Sequence, residues 1–216
     1  MKTIIITIGL FTVLAFSSCE SEQAKKERLA REEQERIEFN ARQKQEAADR
    51  EYRMEQERIE REIRLEQERK EKETYDKYIN NSLQTGAMPY FKYYGNNLSC
   101  NNYNCSKIIV KSPYNSDVLV IIKGREGGNQ HAYIRAGNSY TFEMPNGKYQ
   151  PFFYYGKGWN PEKEMKNGRI KGGFISDESF GKDDPQSLDN NILTYELILQ
   201  RNGNFSTKPS NPDEAL

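Results

Sequence analysis

Apolar side chains fall into three regimes along this chain. Residues 4–16 form a run of 13 without a charge, whereas residues 20–78 scatter single apolar positions among charges. From Lys107 onward, short apolar and β-branched runs alternate with turn residues. A helix over 4–16 would rise about 20 Å at about 1.5 Å per residue, short of a hydrocarbon core of about 30 Å. Its length suits the core of a signal peptide.

The third regime predicts strands over 107–111, 118–123, 131–135, 139–144, 148–155 and 192–200. Residues 107–111 and 118–123 are divided by the turn-forming stretch Ser-Pro-Tyr-Asn-Ser-Asp at 112–117. Gly127-Gly128 marks a second hairpin candidate leading into 131–135. Tyr140, Phe142 and Met144 alternate with Thr141 and Glu143. Asn146-Gly147 between two strand-like runs predicts a two-residue hairpin. In the last run Leu193, Tyr195, Leu197 and Leu199 share a face. Six or seven strands without intervening helices predict a sandwich or small barrel.

The middle regime predicts a helix. Residues 20–78 hold no Gly and no Pro and consist largely of Glu, Arg, Lys, Gln and Ala. Opposite charges recur at i, i+4, as in Glu27/Arg31, Glu32/Arg36, Glu38/Arg42, Glu46/Arg50, Glu57/Arg61, Glu60/Arg64, Glu66/Lys70 and Glu68/Lys72, each worth about 0.2–0.5 kcal/mol. A continuous helix over 22–78 would extend about 85 Å. Tyr52, Ile59 and Ile63 have seam-like spacing, but Gln56, Glu66 and Lys70 interrupt the heptad. A solitary charged helix, a weak self-associating coiled coil and a disordered tether all stay open; each is a spacer. The fold expected is therefore α+β by segment. A signal peptide (1–18) is followed by a charged stalk (19–78) and an all-β, sandwich-like head (79–216).

Charge excludes one class of partner. The chain carries 32 basic and 32 acidic residues, with 16 and 19 of them within 20–78, so neither segment has the basic excess of a nucleic-acid binder. Of the three cysteines, Cys19 ends Ser17-Ser18-Cys19, while Cys100 and Cys105 bracket Asn-Asn-Tyr-Asn. That pair suggests a local disulfide in an exported chain, with free thiols as the alternative. A metal site would need further ligands and the single histidine, His131, is distant in sequence. No metal and no cofactor is expected.

Two stretches of the head are candidates for function. Phe152-Phe-Tyr-Tyr-Gly-Lys-Gly-Trp159 places five aromatics in eight residues. Tyr154, Tyr155 and Trp159 are either a contact surface for sugar or protein or, as the reading preferred here, a strand buried on both faces. Residues 176–190 hold Asp177, Glu178, Asp183, Asp184 and Asp189, expected to form a solvated loop rather than a Ca²⁺ site. Catalysis has little support, since one histidine offers no nucleophile–base pair and thirteen head acids make any carboxylate pair unspecific.

The small pair before Cys19 resembles the lipobox of bacterial lipoproteins, in which the cysteine is lipidated and becomes the N-terminus. The stretches Ala136–Phe142 and Pro145–Tyr149 look like an edge of small β-sandwich modules on exported bacterial proteins. The whole chain resembles Gram-negative lipoproteins built of a helical stalk and a β head. These resemblances imply a lipid anchor at Cys19, most simply in the outer membrane, with either face open. They also imply a binding or structural role toward envelope protein or glycan. A carbohydrate-active enzyme using the acidic residues is the alternative.

Overall fold

The computed structural model describes residues 21–97, 100, 105–125, 128–198 and 208–216; the signal segment and Cys19 lie outside them. It divides into two compact units, Met1–Leu65 and Glu66–Leu216. The long charged helix followed by a mostly antiparallel β domain is the fold class that the sequence predicts.

The first unit is helical through its described part. Helix α1 (Glu22–Tyr78) starts where the Ser21 hydroxyl accepts from the Ala24 amide at 3.3 Å, a side-chain N-cap. With neither Gly nor Pro to break it, it runs on to Tyr78 in the second unit. The ion pairs differ from those predicted. Of the eight, only Glu66–Lys70 forms, at 3.4 Å. Arg28–Glu32, Arg58–Glu55, Arg58–Glu62, Arg69–Glu66 and Lys72–Asp76 form instead. On a helix this densely charged each guanidinium has several carboxylates within reach. Exposed pairs differ too little in energy for spacing alone to select among them.

The second unit contains nine strands among its described residues, in two sheets. The smaller sheet has the order β4 (Ser139–Pro145), β1 (Cys105–Lys111), β8 (Ile192–Glu196). Strand β1 is antiparallel to β4 and parallel to β8. The larger has the order β3 (Gln130–Ile134), β2 (Asp117–Gly124), β5 (Gly147–Met165), β6 (Ile170–Lys182), β9 (Lys208–Pro209), with β7 (Gln186–Leu188) also on β5. The expected β2–β3 hairpin forms, pairing Val118 with Ile134. The Asn146-Gly147 hairpin does not: β4 pairs with β1 and β5 with β2, so these residues carry the chain from one sheet to the other. A type I′ turn needs positive φ at both central residues, and neither Asn146 nor Gly147 has it. The Asn146 side chain instead accepts from Ser106 and from the Asn190 amide, pinning the crossing.

Periodicity explains where the core sits. Strand β1 alternates, burying Ile108 and Val110. Strand β2 is buried at every position from Val118 to Ile122 because both faces of its sheet are covered. Val118, Val120 and Ile122 join Ile108, Phe142, Met144, Phe153 and Tyr155 between the sheets. Leu119 and Ile121 join Tyr133, Tyr154, Trp159 and Phe174 on the opposite face. Helix α2 (Phe91–Tyr94) and its flanks contribute Leu83, Ala87 and Tyr90 to that second layer, and the end of helix α3 (Pro212–Ala215) adds Ala215 and Leu216. The same 83–97 segment also satisfies the free edge of β3. The Gly86 amide donates to Tyr133 O at 2.8 Å and the Tyr133 amide to Ala87 O at 2.8 Å. The Asn97 side chain bonds both the amide and the carbonyl of His131, at 2.8 and 3.1 Å. An edge strand so covered offers no template for unwanted pairing.

Candidate functional site

The aromatic run is structural. Tyr154, Tyr155 and Trp159 are 0%, 4% and 2% exposed, and a ring without an accessible face cannot stack on a ligand from solution. A contact surface on these three residues is therefore ruled out. Phe153 and Tyr155 face the smaller sheet, whereas Phe152 and Tyr154 face the outer layer. Trp159, odd-numbered, lies with the even-numbered pair because the register between β5 and β6 shifts between Tyr155 and Lys157. Trp159 packs edge-on against Tyr133 and Phe174, at 5.5 and 5.2 Å between ring centres. Its ring lies against Gly172, where a Cβ would meet it at 2.6 Å.

The acidic stretch is only partly a loop. Residues 176–182 are the second half of β6. All five carboxylates already hold protein donors. Asp177 pairs with Lys157, Asp184 with Lys208, and Asp189 accepts from the Asn146 side-chain Nδ2. Asp183 accepts from the Tyr195 hydroxyl at 2.8 Å, and Glu178 takes Tyr154 and Lys163. The Tyr154 hydroxyl in turn accepts from the Phe174 amide at 2.9 Å, and its burial beside Glu178 pushes its ionisation far up. These are the polar ties of a two-sided sheet, and the sequence reading missed them by taking a charged strand for a loop.

Cys100 and Cys105 form a disulfide with Cα atoms 5.8 Å apart, fastening the start of β1 to the chain that precedes it. His131 is fully buried, with Nε2 accepting from the Tyr90 amide at 3.1 Å. Its ring stacks on Tyr90 and lies 5.5 Å from Tyr94. Burial holds its pKa down, to about 4, against a smaller opposing pull from the Met88 carbonyl. It is a neutral core histidine that holds α2 to β3.

A site the sequence did not reveal lies at one end of the sandwich. The β1–β2 loop is zipped to the β3–β4 turn: the Ser112 amide donates to Asn138 O at 2.9 Å, and the Gly137 amide to Pro113 O at 3.0 Å. Asp117 braces the same turn, accepting from the Ala136 amide at 2.8 Å and from the Tyr133 and Ser82 hydroxyls. Tyr114 rides on this frame 93% exposed, the most exposed large apolar side chain among the described residues. One edge of its ring rests on Gly137, where a Cβ would come within 2.9 Å of it. Gly137 has φ +73°, so both the backbone conformation and the close approach call for glycine. Beside the ring opens a cleft of about 400 Å³ whose polar lining includes Lys111, Asn115, Asn138, Ser139 and Glu196. An aromatic face next to amides, a hydroxyl and one charge of each sign offers apolar stacking and hydrogen bonding to the same ligand.

Two other grooves are less suited. One, about 830 Å³, is walled largely by charged side chains of α1, among them Glu68, Glu71 and Lys72. The other, about 420 Å³, gathers Lys123, Arg125 and Lys148 without an exposed ring. Comparison with protein-family models, with curated proteins and with solved structures finds no match. The only sequence signal for the Tyr114 site is an aromatic in a turn, where no strand face is available to bury it.

Proposed function

We propose that this chain is an exported lipoprotein, anchored through Cys19, whose β domain binds a glycan of the cell envelope in the Tyr114 cleft. The observation that carries the binding reading is the 93% exposure of Tyr114 above a polar cleft, on a frame that does not need the ring for its own stability. Sugars present C–H faces and hydroxyls together, matching a ring flanked by Asn115, Asn138 and Ser139. Binding is favoured over hydrolysis because Glu196 is the one carboxylate among the described lining residues, whereas glycoside hydrolysis ordinarily uses two. The anchor rests on the signal-like 4–16 run and on Ser17-Ser18-Cys19. No helix of the described residues is long and apolar enough to cross a membrane. Location in the outer membrane belongs to the same proposal.

The test is a glycan array followed by titration calorimetry with the exported chain. Tyr114→Ala should weaken binding at least about tenfold, or about 1.4 kcal/mol, with the melting temperature unchanged. Glycan binding indifferent to Tyr114→Ala would sink the site, and Tyr114-dependent capture of an envelope protein instead would change the ligand class. For the anchor, Cys19→Ala should accumulate as an uncleaved precursor without acyl label. Normal labelling of that variant would refute the lipobox.

A further inference from the structure

The sequence of α1 repeats every eleven residues. Glutamine stands at 23, 34, 45, 56 and 67, arginine at 31, 42, 53 and 64, and an acid at 27, 38, 49, 60 and 71. Eleven residues make three turns at about 3.67 per turn, so residues one repeat apart stay on one helix face. Seams of this period wind with a slight right-handed supercoil. Ala30, Ile37, Ala41, Ala48, Tyr52, Ile59 and Ile63 follow it in alternating steps of seven and four, with Gln34, Gln45 and Gln56 between them. A heptad reading breaks at Gln56; an eleven-residue reading makes that glutamine one rung of a ladder. In the first unit this face has no partner: Ile37, Tyr52, Ile59 and Ile63 are 59%, 66%, 38% and 54% exposed. Leu29, Phe39, Met54 and Leu65 lie off the seam.

We propose that α1 pairs, parallel and in register, with α1 of a second copy of this chain through this eleven-residue seam. Two observations select that occupant. A glutamine amide carries both donors and an acceptor, so a second glutamine set opposite it can satisfy it. Parallel, in-register pairing sets Gln34, Gln45 and Gln56 opposite themselves, and polar seam residues of this kind fix register. Charge makes the second selection. Glu51, Glu55 and Glu62 flank the seam on one side, with Lys44 among them; on the other side Arg42, Arg53 and Arg64 lie just beyond Glu38, Asp49 and Glu60, so that flank carries both signs. Parallel pairing sets the acidic flank against the flank that holds the arginines, whereas antiparallel pairing sets the acidic flank against itself. None of the three arginines has a carboxylate partner among the described residues, so each is free to reach across. The proposal is independent of the Tyr114 site.

The experiment is oxidative cross-linking of the full chain in its membrane, read on non-reducing gels. Gln34→Cys, Gln45→Cys and Gln56→Cys should each give a disulfide-linked dimer. Arg50→Cys and Arg61→Cys, on the opposite face, should stay monomeric. Ala41→Cys should cross-link and Arg42→Cys should not, which separates the eleven-residue path from a heptad extended back from Tyr52. All these positions are exposed in α1, so the variants keep the fold. Cross-linking at Gln45→Cys alone would indicate antiparallel pairing and overturn the proposal. Equal dimer from the back-face variants, or none from any seam variant, would overturn it as well.

Discussion

Replacing Trp159 by Ala tests the packing of the outer layer. The backbone anchors of this residue survive the change: its amide donates to Asn81 O at 2.8 Å and its carbonyl accepts from the Asn81 side chain at 2.6 Å. What is lost is the indole, 2% exposed and enclosed by Tyr90, Tyr133, Phe174 and Gly172. A large aromatic buries about 200 Å², worth about 5 kcal/mol at about 25 cal/mol/Å² as an upper figure. Measured large-aromatic-to-alanine changes run about 3–5 kcal/mol, so about 4 kcal/mol is expected. Collapse into the gap is limited, because Gly172 has no side chain to offer and Tyr133 is held through Asp117. At about 2–4 °C per kcal/mol for a domain of this size, the melting temperature should fall by about 8–16 °C. Differential scanning calorimetry of the purified chain, with urea titration alongside, measures this. A fall of less than about 3 °C would show that the indole is not a core group and would refute the layer described above.

The buried, neutral His131 predicts acid sensitivity. Its folded pKa of about 4 lies below the usual 6.5, so the unfolded chain takes up the proton first. Stability present above pH 6.5 should be lost as pH falls toward 4, by about 3 kcal/mol in all, and His131→Gln should flatten that part of the urea-midpoint profile. A wild-type profile unchanged across that window would contradict it. Cys100 and Cys105 should resist alkylation until reduced, and reduction should cost at most about 2 kcal/mol because so short a loop removes little unfolded-state entropy. Free alkylation of both thiols in the unreduced protein would show that the cross-link does not form.

Local physics was legible in the sequence wherever it did not depend on distant partners. A segment free of Gly and Pro and rich in helix formers became one helix, since helix hydrogen bonds close within four residues. β-Branched runs became β1 and β2, and Cys100 found Cys105 across five positions. Pairing was not legible. Asn146-Gly147 reads as a hairpin until one knows that β4 is committed to β1 and β5 to β2. Residues 176–182 read as an acidic loop because the partners that make them a strand, Tyr154 and Lys163, lie 24 and 15 residues away. For Tyr154, Tyr155 and Trp159 the run of aromatics favoured a buried strand but left a contact surface open; the 83–97 segment and Leu216, packed over the larger sheet, put the two that face outward in the core. The fate of Tyr114 also depended on tertiary structure. An aromatic in a turn is exposed only if nothing folds over it, and here Gly137 supports one edge of the ring and leaves the rest to solvent. Sequence determines what each segment prefers locally, while burial is a property of the neighbours the fold supplies, which is why the helix could be read in advance and the site could not.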